Sequence, residues 1–118
     1  MEPTIWGSSA WTFLHTITFN YPDNPSYKDK EHYRTFFDSL KNVIPCPNCQ
    51  KHYKGNLSKY PIQLDSKDKL IEWLVNVHNE VNKIKKKRIW SVKEVKEKYN
   101  NLYNPINYTN YYLLIIFI

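Results

Sequence analysis

The residues best suited to chemistry in this chain are its two cysteines, Cys46-Pro47-Asn48-Cys49, which stand directly before a helix-like stretch. A dithiol with this spacing can close a small disulfide across one helical turn. At a helix start the unpaired backbone N–H groups and the positive end of the dipole favour thiolate, which suits the pair to thiol–disulfide exchange. No second cysteine pair exists to complete a four-sulfur metal cage. The rival is half of a zinc site completed by His52 and another histidine, but His15, His32 and His78 lack the usual second-pair spacing. The pair therefore reads as a redox centre first. A zinc- or nucleic-acid-binding interaction module using Cys-x-x-Cys and histidine is the alternative.

Two further groups of residues have chemical potential. Trp11 and His15, with Trp6-Gly7 just ahead, are separated by four and share a helix face. By itself such a pair is ordinary core. In Trp73-Leu74-Val75-Asn76-Val77-His78-Asn79-Glu80-Val81-Asn82, His78 and Asn82 lie one turn apart on an otherwise apolar stripe. Buried polar groups need hydrogen-bond partners. These are either other side chains or the heteroatoms of a flat, polar cofactor inserted between helices. The run Lys83, Lys85, Lys86, Lys87 and Arg88 that follows is ordinarily a solvated face, but lysine is also a good phosphate neighbour.

The elements that must position these groups read as five helical segments with no convincing strand alternation. The first spans about Ser8 to Asn20 and stops at Tyr21-Pro22. Ser26 is the expected N-cap of the second, where Tyr33, Phe36, Phe37, Leu40 and Ile44 recur at helical spacing until Pro45. The third begins at the cysteine pair with Pro47 in its first turn and ends before Pro61. Asp65 or Ser66 caps the fourth, whose stripe is Leu70, Trp73, Leu74, Val77, His78, Val81 and Ile84. Ser91-Val92-Lys93-Glu94 is a capping box opening the fifth, and Pro105 closes it. Short connections favour antiparallel neighbours, so the fold class is all-α, a compact bundle.

At 118 residues the chain forms one domain with a real core. Residues 1–105 are assigned to it, and residues 106–118 to an apolar tail too short to cross a hydrocarbon layer as a helix. The N-terminal Met1-Glu2-Pro3-Thr4-Ile5-Trp6 has neither the basic nor the apolar region of a secretory signal, so a cytoplasmic setting is expected. The net charge of +6 is almost wholly lysine. Lysine, asparagine, isoleucine and tyrosine are abundant while glycine is scarce, a bias of AT-rich codons. Scattered lysines without an arginine cluster argue against nucleic-acid binding. The absence of any βαβ pattern disfavours a thioredoxin-like reductase.

In combination, Trp-x-x-x-His on the first helix, Tyr21-Pro22-Asp23 after it, Cys-x-x-Cys at the third and His78-Asn79-Glu80-Val81-Asn82 on the fourth resemble the Erv/ALR family of FAD-linked sulfhydryl oxidases. The match runs from about Trp6 to Tyr103, and the small size is similar to that of the single-domain members of large DNA viruses. The resemblance implies a four-helix bundle plus a short fifth helix, with FAD held non-covalently at the bundle mouth. It implies that Cys46 exchanges with incoming protein dithiols and Cys49 lies against the flavin ring. It implies cofactor contacts from Trp6, Gly7, Trp11 and His15, with His52 on the flavin side. On the fourth helix it implies contacts from Trp73, His78, Asn79, Val81 and Asn82. Lys85 or Lys87 would neighbour the pyrophosphate, and Trp90 and Tyr99 the adenine. It further implies oxygen as electron acceptor with hydrogen peroxide as product, and a location in the host cytoplasm or virion if the chain is viral. A homodimer is implied, for which Phe13, Ile17, Tyr33 and Phe37 are the expected contacts.

The departures from the family pattern are an absent shuttle cysteine pair and an absent disulfide bracing the fifth helix, where Val92 stands near the expected cysteine. A separate thioredoxin-like protein relaying client dithiols is the expectation that follows.

Overall fold

The computed structural model describes residues 1–103, and every regular element among them is an α-helix. In order these are α1 (Pro3–Phe19), α2 (Tyr27–Val43), α3 (Pro47–Lys59), α4 (Lys67–Ile84) and α5 (Val92–Tyr103). Pro105 and the tail at 106–118 lie outside the described residues.

Helix starts follow local chemistry. Ser26 Oγ accepts from the Asp29 N–H at 3.1 Å while Asp29 Oδ2 accepts from the Ser26 N–H at 2.9 Å, a complete capping box. Ser91 and Glu94 make the same reciprocal pair at 3.1 Å each, which confirms the capping signal for α5. Ser66 rather than Asp65 caps α4, accepting from the Lys69 N–H at 3.2 Å. One boundary differs from expectation: α1 starts at Pro3, so Trp6 and Gly7 sit inside the helix instead of ahead of it. Proline at the first helical position needs no hydrogen-bond acceptor and brings a preset φ, a signal that outweighed the polar Ser8-Ser9.

The end of α4 is a Schellman motif. The Lys87 N–H donates to Asn82 O at 2.8 Å and the Lys86 N–H to Lys83 O at 3.2 Å. Lys86 takes φ 55°, the left-handed region that glycine occupies most easily. The turn sends the basic run away from the helix axis.

Helix α4 lies at the centre, packed against α1, α3 and α5, with α2 on α3 and α5 on α1. Its Leu70, Trp73, Leu74 and Val77 join Tyr21, Phe37, Tyr53 and Leu64 in the main core. On a second face Ile71 and Val75 meet Val95 and Tyr99 of α5, with Phe19, Trp90 and Val92 packed against them. The fourth-helix stripe is corrected in two places. Ile84, the last residue of α4, is 61% exposed, and Ile71 and Val75 are buried because α5 covers a second side. Val92, near the expected site of a bracing cysteine, contributes apolar packing instead of a covalent link.

Aromatic polar tips tie the layers together. Tyr21 donates to Leu64 O at 2.7 Å, Tyr53 to Phe37 O at 2.6 Å and Trp73 Nε1 to Tyr60 O at 2.6 Å. Phe37, expected on a dimer face, is fully buried and meets Trp73 edge-on at 5.2 Å. It cannot contact a second subunit. Tyr33 packs on Tyr21 at 4.5 Å, whereas Phe13 is 61% exposed. No helix among the described residues is long and apolar enough to cross a membrane.

Candidate functional site

The sulfur pair sits where α3 begins. Cys46 and Cys49 form a disulfide, with Cα atoms 5.1 Å apart. Cys46 is the N-cap and Pro47 the first helical residue, and Cys46 Sγ accepts from the Cys49 N–H at 3.2 Å. The segment is anchored at its back by Gln50 Nε2, which donates to Ile44 O at 2.7 Å. The Met1 N–H group donates to Pro45 O at 3.0 Å, so the start of α1 lies beside the disulfide. Both cysteines are half-buried.

Helices α1 and α4 join the two polar constellations into one. The Trp11 ring stacks on His78 with centroids 3.9 Å apart and planes within 5° of parallel. His15 Nε2 and His78 Nδ1 lie 2.9 Å apart and share a hydrogen bond. Tyr99 from α5 comes to 5.3 Å of the His15 ring and 5.4 Å of Phe19. Asn82, one turn beyond His78, is 5% exposed. Asn79 holds the loop before α5: its Nδ2 donates to Trp90 O at 2.8 Å and its Oδ1 accepts from the Trp90 N–H at 3.0 Å. The Arg88 guanidinium covers the Trp90 ring at 3.9 Å, and Lys98 Nζ lies 5.6 Å from that ring and 5.7 Å from Tyr99.

Both imidazoles are neutral at physiological pH. Burial, then the neighbouring His78 and Lys98, bring the His15 pKa down to about 3. Burial, then Lys87, Lys98 and Lys85, bring His78 down to about 4. Two consequences follow. The cations acting on His78 identify Lys85, Lys87 and Lys98 as its electrostatic surroundings. Moreover, since both folded values lie below the ordinary 6.5, the unfolded chain binds protons that the folded one does not as pH falls. Stability of flavin-free protein is therefore full above the ordinary histidine pKa and is lost on acidification toward pH 4. The expected loss between pH 6.5 and 5 is on the order of 2 kcal/mol, a fall in Tm of several degrees. Thermal melts across that range check it, and a flat Tm would mean the imidazoles are not buried as a neutral pair.

His15 Nδ1 is buried with no hydrogen-bond partner among the described residues, and so is Asn56 Nδ2 on α3. An unsatisfied buried polar atom costs about 1–3 kcal/mol, so such atoms mark places for a group from outside the chain. Around His15 stand the stacked Trp11 and His78 rings, neutral imidazole nitrogens, the buried Asn82 and Tyr99. Beyond it lie Lys85 and Lys87, which make no ion pair among the described residues. Such a set fits a planar, polar heterocycle carrying phosphates, and FAD has that chemistry.

The other expected site residues differ in exposure and local partners. Trp73 is a core residue whose indole N–H is already paired to Tyr60 O. His52 is exposed on α3. Trp6 is half-buried and donates to Met1 O at 3.4 Å. A side chain added at Gly7 would meet nothing within 4 Å. Val81 is half-buried. Glu80, within the His78–Asn82 motif but not expected to act, is a hub. It accepts from Lys59 at 3.1 Å, Tyr60 at 2.9 Å and Lys83 at 3.1 Å, which hold its carboxyl well below the usual range and tie the end of α3 to α4. Lys98 was also missed; only the packing of α5 against α1 and α4 brings it near His15 and His78. Among the described residues, no three His, Cys, Asp or Glu side chains gather as a metal site.

Residues 8–100 match the model of the Erv1 / Alr family. A protein of Acanthamoeba polyphaga mimivirus described as a probable FAD-linked sulfhydryl oxidase is 36% identical over 114 residues, 94% of this chain and 80% of that protein. The FAD-linked sulfhydryl oxidase of African swine fever virus is 31% identical over 104 residues, 87% of each. A counterpart in Arabidopsis thaliana is 32% identical over 96 residues, and this chain spans 50% of that longer protein. The crystal structure of the FAD binding domain of Erv1 from Saccharomyces cerevisiae superimposes with TM-score 0.81 at 26% identity, covering 86% of this chain and 96% of that one.

Proposed function

The chain belongs to the Erv1/Alr family, and from that premise we propose that it is an FAD-linked sulfhydryl oxidase that makes disulfides from protein dithiols. The observation carrying this reading is the Cys46–Cys49 disulfide at the α3 N-terminus of a bundle that also holds a neutral His15–His78 pair against Trp11.

The thiol chemistry rests on this chain's own sulfurs. A client thiolate attacks Cys46 Sγ, the Cys46–Cys49 bond breaks, and Cys49 departs as thiolate. A second client thiol, as thiolate, attacks the client sulfur of the mixed disulfide and Cys46 leaves. The client dithiol is oxidised by two electrons, and the pair holds those electrons with two protons. The Cys49 N–H that meets Cys46 Sγ at 3.2 Å, together with the α3 dipole, stabilises the Cys46 thiolate and makes it the better leaving group. When bound, FAD supplies a two-electron acceptor for the reduced pair and a route onward to oxygen, giving hydrogen peroxide. Trp11, His15, His78 and Asn82 would hold the flavin, with Lys85 and Lys87 toward its phosphates and Trp90 and Tyr99 toward its adenine end. Trp6, Gly7, Asn79 and Val81 would support that pocket, and His52 its flavin side.

The same reading extends to setting and partners. Relatives from two large DNA viruses support a location in host cytoplasm or virion. Residues 1–118 hold no cysteine besides Cys46 and Cys49, and relay of client dithiols through a separate thioredoxin-like protein belongs to the same proposal. With Phe37 buried, a homodimer would rest on exposed α1 side chains such as Phe13.

Purified protein tests the core claim. A yellow preparation that releases stoichiometric FAD and consumes oxygen with dithiothreitol, yielding peroxide, is expected. Colourless protein carrying zinc would overturn it in favour of an interaction module.

A further inference from the structure

A client cysteine that reaches Cys46 must lie across the surface around it, and that surface has a distinctive composition. Val43, Pro45 and Pro47 are exposed beside the half-buried sulfur. Pro47, Lys51 and Lys54 then recur at i, i+4 and i+7, so they share one face of α3, and all are exposed. Residues 40–59 contain no aspartate or glutamate. Of the lysines in that stretch, Lys41 is paired with Asp38 and Lys59 with Glu80, while Lys51 and Lys54 make no ion pair among the described residues. The strip leading away from the disulfide is thus apolar at the sulfur and then purely cationic.

We propose that this strip is the docking surface for the dithiol partner. Its occupant is an extended polypeptide with an apolar residue beside its attacking cysteine and carboxylates farther along. The inference rests on Cys46 being the sulfur that clients attack. The helical rise puts Lys51 and Lys54 about 7.5 Å and about 12 Å beyond Cys46 along the axis. An extended client advances ~3.3 Å per residue, so its acidic side chains belong about two and four residues from its cysteine. Opposite charge at that register speeds encounter and disfavours basic partners.

Initial rates of oxygen uptake by the flavin-loaded enzyme test this with three substrates. They are dithiothreitol, a Cys-x-x-Cys peptide with aspartates two and four residues from the attacking cysteine, and the same peptide with lysines there. The acidic peptide is expected to show kcat/KM on the order of tenfold above the basic one at low ionic strength, converging with it as salt is added. The double variant Lys51→Glu/Lys54→Glu reverses that order and leaves the dithiothreitol rate unchanged. Equal peptide rates in the unaltered enzyme, or a preference that survives the double variant, overturn the docking surface while dithiothreitol turnover upholds the oxidase. Failure of the unaltered enzyme to turn over dithiothreitol overturns both.

Discussion

Cys49→Ser loses oxygen consumption with dithiothreitol by about a thousandfold or more, while the flavin stays bound. The hydroxyl cannot form the bond to Cys46 that accepts the client's electrons, so the reaction stops at its first step instead of merely slowing. The fold is expected to survive. Only three positions separate the two sulfurs, so the bond restricts little of the unfolded chain. Gln50 bonding Ile44 O and Tyr53 bonding Phe37 O still anchor α3. An oxygen electrode reads the activity, and flavin absorbance after gel filtration reads the cofactor. Turnover retained in this variant would mean that electrons reach the flavin by a path independent of the pair. Cys46 keeps its thiol, so a client with one remaining cysteine held as a mixed disulfide with a small thiol should transfer to it: the Cys46 thiolate attacks the client sulfur, the small thiol leaves, and the Cys46–client disulfide, with no second thiol to resolve it, is visible by intact mass.

His78→Ala is expected to empty the cofactor site. The change removes the ring stacked on Trp11 and the partner of His15 Nε2, leaving His15 with both ring nitrogens unsatisfied in a site only 3% exposed. The expected loss of stability is about 2–4 kcal/mol from the vacated volume and the orphaned nitrogen. Flavin content should fall to a small fraction of that of the unaltered protein. The rise in Tm on adding FAD should shrink with it, because a ligand stabilises only the state it binds. His78→Phe separates the two contributions: it restores the stack but not the hydrogen bond, so the packing share of the lost stability returns while the orphaned-nitrogen share and the flavin loss remain. Full flavin occupancy in both variants would place the pocket elsewhere.

Much of this architecture was legible along the chain because its signals are local. A capping serine with its acidic partner at N3 opens α2 and α5, and the hydrogen bonds are formed within one turn. Cys46-Pro47 marks the start of α3 for the same reason. The site was legible only as fragments. Trp11 with His15 and His78 with Asn82 each read as an ambiguous pair on an apolar stripe, and no local rule links them. Expectations failed where burial depends on neighbours. Phe37 and Phe13 have the same side chain, yet one is sealed against Trp73 and the other faces solvent. Ile84 continues a periodic stripe past the point where the described helices cover it.

What the chain by itself determined is therefore the helices, their caps and a vicinal cysteine pair seated at a helix start, all products of forces acting over three or four residues. Tertiary structure decided that His15 and His78, 63 positions apart, become one neutral pair. It also tied Asn79 to Trp90 and gave α4 two buried faces. Those outcomes depend on which surfaces exclude water from which groups, and only the packing of whole helices against one another sets that.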